Sequence, residues 1–433
     1  MNVIACAITG AAAGFNRTLI GAASRAARGV SGGLAAWRPG QPPGRPYRAA
    51  AALAALIAAA TPATAADRVK VGMVTTLSGP AAVDGEDIRD AFQLFLKLNG
   101  GRLGGLPAEL VIGDDAANAE TGKQVVDRLL KRDRVDLMTG IIFSSVLLPA
   151  WSTIAESNTF YVSPNTGPQE LAGERCSPFF FSTAWQNEEP PAAMGQHVQE
   201  RGYKYVVGLA PGYVGGRETL AGFKRTFKGR FEEIYSRMGQ VDYAAEISQI
   251  RTLKPDAIFV FLPGGMGINF LKQYSASGLS RDIQLFVPGF TADEDTLRGT
   301  GDTLLGVINS SEWAHDMDNA ANQRFVSAFQ KTYNRLPSMY AAQSYDAAQL
   351  YDAAIRDAKG KLEDKDAMRT ALRAAKFASV RGNFRFNRNH MPIQDYYLRV
   401  VIRDAQGRIT NRLLNRIYAD RADSFAAACP MKW

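Results

Sequence analysis

The sequence predicts an α/β protein with parallel sheets, built as two similar domains. Short runs of β-branched and aromatic residues alternate with longer segments whose apolar residues recur at helical spacing. This alternation begins at Asp67, pauses at the aromatic run 179–181, and then starts again. Of the 433 residues, 46% are hydrophobic and 21% are charged. This composition is typical of a globular protein with a substantial core.

The first unit begins with a short run rich in β-branched residues at 69–75 (VKVGMVT), which is typical of a buried strand. The turn LSGP follows, and apolar residues at helical spacing predict a helix over 87–98 that ends at Gly100 and Gly101. The later elements of this unit are predicted as helices 119–131 and 148–158 and strands 108–113, 136–142 and 159–162. Such alternation is typical of a parallel sheet covered on both faces.

The second unit repeats this order. Its predicted elements are helices 188–201, 217–227 and 266–277 and strands 205–209, 257–262 and 284–287. A helical stretch over 322–377 and a β-rich segment over 382–401 follow, and we expect them to cross back between the domains. Ligands of open parallel sheets bind outside the carboxyl ends of the strands. The loops at those ends are dense in Gly, Ser, Pro and Asn, which suits a small anion.

Residues 1–66 have the order of a secretory signal. They contain six arginines and no acidic residue, and the apolar run 49–60 leads to small residues, with cleavage expected after Ala65 or Ala66. That run is shorter than the ~20 residues that span a bilayer, so a membrane anchor is disfavoured. Without the leader the chain has 44 basic and 42 acidic residues, and this balance argues against nucleic acid as a partner.

Export leaves two cysteines in the mature chain, Cys176 and Cys429, because Cys6 belongs to the leader. In an oxidising compartment an even pair is expected to form a disulfide. The bond would close a loop of about 250 residues and contribute ~4–5 kcal/mol in the chain-entropy model. The alternative is two unrelated buried thiols.

Few residues suit catalysis. The three histidines, His197, His315 and His390, are far apart in the sequence and lack the spacing of metal ligands. The sequence contains no HExxH, Walker A or GxGxxG motif. Acidic runs at 114–115 and 293–295 are interpreted as helix N-terminal charges or solvated loops. We therefore expect a protein that is not an enzyme and needs no cofactor or metal.

At its loops the sequence resembles the periplasmic solute-binding proteins of ABC importers, in the branched-chain amino-acid-binding family. The resemblance depends on VKVGMVTTLSGPAA, the Ser144-Ser145 pair, VSPNTGPQEL, PDAIFVFLPGGMGINFLKQY and AQSYDAAQLYDAA. The segments PFFFSTAWQNEEP, PGGMGIN and SVRGNFRFNRNHMPIQDYYLRV are most similar to members that bind aromatic acids. The resemblance implies two Rossmann-like lobes with parallel sheets, joined by a three-segment hinge and closing on the ligand like a Venus flytrap.

The resemblance also implies boundaries and partners. The first lobe would comprise residues 67–185 and about 313–380, and the second lobe residues 186–312 and about 381–433. The expected protein is a periplasmic monomer that captures a small carboxylate and delivers it to an ABC importer permease. From another class, the ligand-sensing domain of a receptor or regulator is the alternative.

A carboxylate-binding end in the first lobe follows from the same resemblance. The residues carried over are Ser78, Gly79, Ser144, Ser145, Ser163, Asn165 and Thr166. Hydroxyl, amide and backbone N–H groups of this kind hold a carboxylate without a full positive charge. The alternative is that Ser and Asn only cap the following helices.

The second lobe departs from the amino-acid-binding members, in which an acidic residue meets the ammonium group of the ligand. Here the loop carries Gly264 and Gly265, and Gly265 lies at about the position of that acid. An unpaired buried ammonium is costly, so an α-amino acid is disfavoured as the ligand. An aromatic carboxylate is the ligand that the resemblance to the aromatic-acid-binding members implies.

Aromatic residues are the expected walls of such a site. Tyr213 lies two positions before Gly215, where the family often has an aromatic residue, and we expect its ring to stack on the ligand. The other candidates are Trp185, Phe290 and Tyr345, each with a core position as its alternative.

Asp84 stands where the family is commonly apolar or aromatic. It would accept a hydrogen bond from a phenol, or replace the missing acid in a protein for branched-chain or other amino acids. Its third interpretation, which the sequence favours, is a solvent-facing cap of the helix that starts near Asp87.

Overall fold

The computed structural model describes residues 66–432. The predicted leader, 1–66, therefore lies outside the described residues except for Ala66. Within that range, no helix combines the length and the apolar character that a membrane crossing requires.

The strands follow the chain in order. They are β1 (Val69–Thr75), β2 (Arg102–Leu103), β3 (Leu106–Asp114), β4 (Leu137–Thr139), β5 (Phe160–Ser163), β6 (Phe180–Ser182), β7 (Tyr205–Pro211), β8 (Arg230–Ser236), β9 (Ala257–Val260), β10 (Gln284–Pro288), β11 (Ile308–Ser311), β12 (Arg385–Phe386), β13 (Pro392–Arg403) and β14 (Ile409–Arg421). The helices are α1 (Ala82–Leu98), α2 (Ala119–Asp127), α3 (Ser144–Glu156), α4 (Gln169–Ala172), α5 (Glu189–Glu200), α6 (Val214–Thr226), α7 (Ala244–Leu253), α8 (Gly265–Ala276), α9 (Glu294–Thr300), α10 (Ala320–Tyr333), α11 (Met339–Asp357) and α12 (Lys365–Ala374).

Within the described residues these strands form two sheets, which confirms the predicted pair of α/β lobes. The first sheet has the order β2-β3-β1-β4-β5-β6, and the second has the order β12-β13-β11-β10-β9-β7-β8 with β14 paired to β13. Strands β1, β4 and β5 pair in parallel, as do β7, β9 and β10. Every residue of β1 except the half-buried Lys70 is buried, because both faces of the sheet are covered, and this explains why the strand is mostly apolar.

The chain passes between the sheets three times. After β6 of the first sheet it continues into α5, which packs on β10 and β11 of the second sheet. After β11 it returns to the first sheet, where α11 packs along α1. A final crossing leads to β12, β13 and β14. Strand β13 pairs with β11, β12 and β14, in each case antiparallel.

Five strands were not predicted: the short strands β2, β6 and β11, and the longer strands β8 and β14. The two longer strands show why. Both are rich in charged residues, and many of their side chains are exposed or half-buried. Because each has one partner strand and no apolar run, period-2 patterning is weak there. Helix α1 also begins earlier than predicted, at Ala82, directly after the turn at Gly79 and Pro80.

The predicted disulfide is confirmed. The Sγ atoms of Cys176 and Cys429 are bonded, and their Cα atoms lie 5.6 Å apart although the residues are 253 positions apart in the sequence. The bond joins the segment after β14 to the loop between α4 and β6.

Candidate functional site

A cavity lies between the two lobes, at the carboxyl ends of strands from both sheets. Its walls are formed by Ile142, Phe143, Ser144, Asn165, Thr166, Trp185, Asn187, Tyr213, Gly215, Thr219, Phe261, Pro263, Phe290 and Tyr340. The sequence-predicted residues among them are Ser144, Asn165, Thr166, Trp185, Tyr213 and Phe290. The free space inside is about 30 Å³, room for only a few water molecules, so admitting a ring requires the walls to move apart.

One end of the cavity is polar and comes from the first lobe. Ser144 is the first residue of α3, and its hydroxyl contacts the hydroxyl of Thr166 in the loop after β5. The amide of Asn165 donates to the carbonyl of Ile142, 2.7 Å away, which fixes the loop against the end of β4. The first N–H groups of a helix have no intrahelical partner, so the start of α3 suits an anion.

Asn187 completes this end, and sequence reasoning missed it. Its Nδ2 donates to the Ser144 hydroxyl at 3.0 Å, and its Oδ1 accepts the N–H of Gly167 at 2.9 Å. Since Ser144 accepts from Asn187, its own proton is left for Thr166 or for a bound carboxylate. In the sequence, Asn187 lies in the segment PFFFSTAWQNEEP, which is similar to aromatic-acid-binding members. Neither its residue type nor its spacing marks it there as a site residue.

The other walls are aromatic. The rings of Trp185 and Phe290 have centroids 4.5 Å apart, and Phe290 meets Phe261 at 5.3 Å. Tyr213 packs between Phe261 and Phe143, at 6.5 and 6.0 Å. Sequence reasoning missed Phe143 and Phe261 because each lies at the end of a buried run.

Glycine at 215 makes room for Tyr213. A Cβ atom at Gly215 would lie 2.8 Å from the ring of Tyr213, closer than real Cβ contacts allow. The space left by the missing aromatic side chain is therefore occupied in part by the ring of Tyr213 itself.

The structure does not bring every predicted residue to the cavity. Ser78 and Gly79 are exposed, Ser145 is half-buried beside the cavity, and the Ser163 hydroxyl donates to the Thr166 carbonyl at 2.6 Å. Tyr345 does not reach it and packs among Phe rings of the first lobe at 4.7 and 5.5 Å. Tyr340, five residues earlier on α11, lines the cavity instead.

Gly264 and Gly265 lie where the lobes touch, and they do not line the cavity. The N–H of Gly265 donates to the carbonyl of Pro80 in the first lobe, 2.8 Å away, and a Cβ atom there would lie 2.7 Å from that oxygen. Glycine at this position allows the two loops to approach closely.

The interpretation of Asp84 as a solvent-facing cap is wrong, because its side chain is fully buried. It faces Asp295 of the second lobe within hydrogen-bonding reach, and neither of its oxygens receives a hydrogen bond from a donor among the described residues. Burial, followed by the charge of Asp295, raises the pKa of Asp84 well above its usual value. Burial and the facing acid therefore favour the protonated form of Asp84 over the carboxylate.

The same burial corrects the interpretation of 293–295 as a solvated loop. Asp293 and Asp295 are both buried, and Asp293 accepts from the backbone N–H of Met339 and forms an ion pair with Arg399 at 3.3 Å. In residues 66–432 no group of His, Cys, Asp and Glu is arranged to hold a metal ion.

Comparison with known proteins identifies a matching family model and similar solved structures. A family model described as "Periplasmic binding protein" matches residues 68–406. A solute-binding protein of an ABC transporter from R. palustris, solved in complex with benzoate, is 30% identical; the match covers 84% of this chain and 100% of that one, with a TM-score of 0.79. A second, from Rhodopseudomonas palustris BisB5 in complex with 3,4-dihydroxybenzoic acid, is 29% identical over 83% of this chain and 99% of its own, with a TM-score of 0.77.

Another relative is named for the binding of branched-chain amino acids. The Leu/Ile/Val-binding protein homolog 6 of Brucella melitensis is 26% identical over 366 residues, which are 82% of this chain and 92% of its own length. The chain thus belongs to the periplasmic binding protein family, whose members bind small molecules outside the cytoplasm for ABC transporters. The predicted family and fold class are confirmed.

Proposed function

We propose that this protein captures a small aromatic carboxylate between its lobes and delivers it to the permease of an ABC importer. The single observation that carries the proposal is the division of the cavity, with hydroxyl and amide groups at Ser144, Thr166 and Asn187 and aromatic rings around the rest. Hydroxyl and amide donors hold a carboxylate, and aromatic walls hold a ring. The benzoate and 3,4-dihydroxybenzoic acid complexes of the R. palustris proteins support this choice.

The remaining features of the proposal concern the whole molecule. The predicted lobes, 67–185 with 313–380 and 186–312 with 381–433, would be the bodies that close on the ligand. The protein would act as a monomer in the periplasm after cleavage at Ala65 or Ala66, and it would perform no chemistry on its ligand.

An α-amino acid is the second candidate ligand. The Leu/Ile/Val-binding relative favours it, and so does a buried carboxyl group, Asp84, beside the cleft. The argument against it is that neither Asp84 nor Asp295 lines the cavity, and that glycine stands at 265, where the acid of the amino-acid-binding members is expected.

A thermal-shift screen tests these ligands. The chain 67–433 is refolded to remove ligand carried over from expression and is then mixed with benzoate, hydroxybenzoates, leucine and isoleucine. A ligand at about 100 times its Kd stabilises the folded state by ~2.7 kcal/mol. We expect the aromatic acids alone to raise Tm. A rise with the amino acids alone would overturn the aromatic assignment.

Ser144→Ala tests the carboxylate end. Since the Ser144 hydroxyl lines the cavity, its loss should weaken binding of benzoate by about 1–3 kcal/mol, the effect of one hydrogen bond to a charged group. Calorimetric titration measures the change. Ser145→Ala is the matched control, because this neighbouring hydroxyl does not line the cavity, and equal affinities in the two variants would remove Ser144 from the site.

A further inference from the structure

The polar end of the cavity is tied to the second lobe by one carboxylate, Glu218 of α6. Its Oε2 accepts from Nδ2 of Asn187 at 2.7 Å, and its Oε1 accepts from the backbone N–H of Gln169 at 3.1 Å. Gln169 begins α4 behind the first sheet, and Asn187 lies on the segment that crosses from β6 to α5. Glu218 therefore spans the cleft at its edge.

The hydrogen bonds of Asn187 continue this connection into the cavity. One hydrogen of its amide group goes to Glu218 and the other to the Ser144 hydroxyl, while its oxygen accepts from Gly167. All three partners agree on one orientation of the amide. A change at Glu218 is thus transmitted through one side chain to Ser144.

We propose that Glu218 is a positioning residue, which couples closure of the second lobe to the acid-binding end of the cavity by holding Asn187 and Gln169. The inference rests on the proposed function in one respect, because it takes Ser144 as the anchor of the carboxylate. Glu218 itself does not line the cavity, so it would act through Asn187.

The charges around Glu218 make this link sensitive to pH. Within residues 66–432 no Lys or Arg forms an ion pair with Glu218; Arg225 on the same helix pairs with Glu188 and Glu189 instead. Burial, together with the charges of Glu188 and Glu170, raises the pKa of Glu218 to about 7. The hydrogen bonds from Asn187 and Gln169 lower this pKa but do not cancel the effect of burial. The hydroxyl of Tyr213 also faces Glu218, whose charge contributes to the raised pKa of that tyrosine.

The direction of the pH effect follows from linkage. In an open cleft Glu218 would meet water and titrate near the usual value for glutamate, about 4.3. A pKa that is higher in the closed form means that closure takes up a proton. The closed form is therefore favoured at low pH, and this advantage is lost as the pH rises through about 7.

The test compares Glu218→Gln, Glu218→Ala and the wild type by calorimetric titration with benzoate and, in parallel, with isoleucine. From about pH 5.5 to pH 8.5 the wild-type Kd should rise by about 30-fold, because closure moves the pKa of Glu218 from about 4.3 to about 7. Glu218→Gln carries no charge, so it should lose most of the pH dependence. Because its amide can accept from only one of the two donors, its affinity should lie between that of Glu218→Ala and that of the wild type at low pH. Glu218→Ala, which has no acceptor, should bind weakly at every pH. Glu233→Gln removes a carboxylate of the same lobe far from the cleft and should match the wild type.

Two results would overturn the proposal: a wild-type pH profile in Glu218→Gln, or wild-type affinity in Glu218→Ala. Binding of isoleucine but not benzoate would refute the aromatic ligand and still test Glu218. Hydrogen exchange at the Gln169 amide, without any ligand, gives an independent answer. At one pH this amide should exchange fastest in Glu218→Ala, and equal rates in all three proteins would contradict the link.

Discussion

Two buried carboxyl groups of this protein, Asp346 and Asp84, stand in opposite environments. Asp346 on α11 accepts hydrogen bonds from the Ser379 hydroxyl at 2.6 Å and the Val380 N–H at 3.1 Å, and it pairs with Arg381 at 3.0 Å. Asp84 on α1 is buried to the same degree, yet its oxygens receive no donor among the described residues, and it faces the carboxyl group of Asp295.

The difference reflects the place of each group in the fold. Burial raises the pKa of both carboxyl groups, but at Asp346 the charge of Arg381 and several donors offset much of that effect. Asp346 and Arg381 lie where the chain crosses between the sheets, whereas Asp84 and Asp295 belong to opposite faces of the cleft. We infer that the crossover is held together permanently, while contact between the cleft faces remains reversible because it brings two acids together.

The largest effect on stability is expected from Arg381→Met, which breaks the buried ion pair between Arg381 and Asp346. This variant leaves Asp346 buried without its cation, and breaking a buried pair on one side typically costs about 3–5 kcal/mol. Chemical denaturation measures the loss. Arg385→Met removes a cation from the exposed pair with Asp420 and should leave the free energy of unfolding unchanged. A comparable loss in both variants would mean that burial of Asp346 is not the cause.

Asp84→Asn should increase the stability of the folded protein, whereas Arg381→Met lowers it. An asparagine amide donates to Asp295 where two acids now meet, so stability at about pH 8 should rise by ~1–2 kcal/mol, the range of a hydrogen bond to a charged group. Asp346→Asn is the matched control and should destabilise, because an amide cannot accept from all of the present donors.

The pH dependence of Asp84→Asn separates charge from packing. The pKa of Asp84 is raised in the folded protein, so its contribution to stability is full at low pH and lost as the pH rises through that value. Asparagine does not titrate, and the decline in Tm with rising pH should therefore be smaller in the variant. Burial also raises the pKa of Asp87 to about 6, so part of the decline will remain. An unchanged slope would show that Asp84 binds equally many protons in the folded and the unfolded chain, and it would contradict a raised pKa of Asp84 in the folded protein.

Sequence reasoning reached the features that local patterns encode. The strand–helix order, the lobes and the Cys176–Cys429 bond follow from apolar periodicity and residue counting. Ser144 and Thr166 were reached through resemblance. Asn187 and Glu218 were not, because their roles depend on hydrogen bonds between segments far apart in the chain. Tyr345 was predicted and Tyr340 was not, because spacing does not say which face of a buried helix meets the cleft.

The smallest effect concerns the glycine that lets the lobes meet. Gly265→Ala places a Cβ atom 2.7 Å from the Pro80 carbonyl, so the cleft should close less completely, and benzoate affinity should fall by about fivefold, or ~1 kcal/mol. Stability of the free chain should not fall, since alanine favours the start of α8. Gly212→Ala in the same lobe meets its nearest atoms at 3.5 and 3.7 Å and should bind as the wild type does. If both variants lost the same affinity, the contact between Gly265 and Pro80 would have no part in closure.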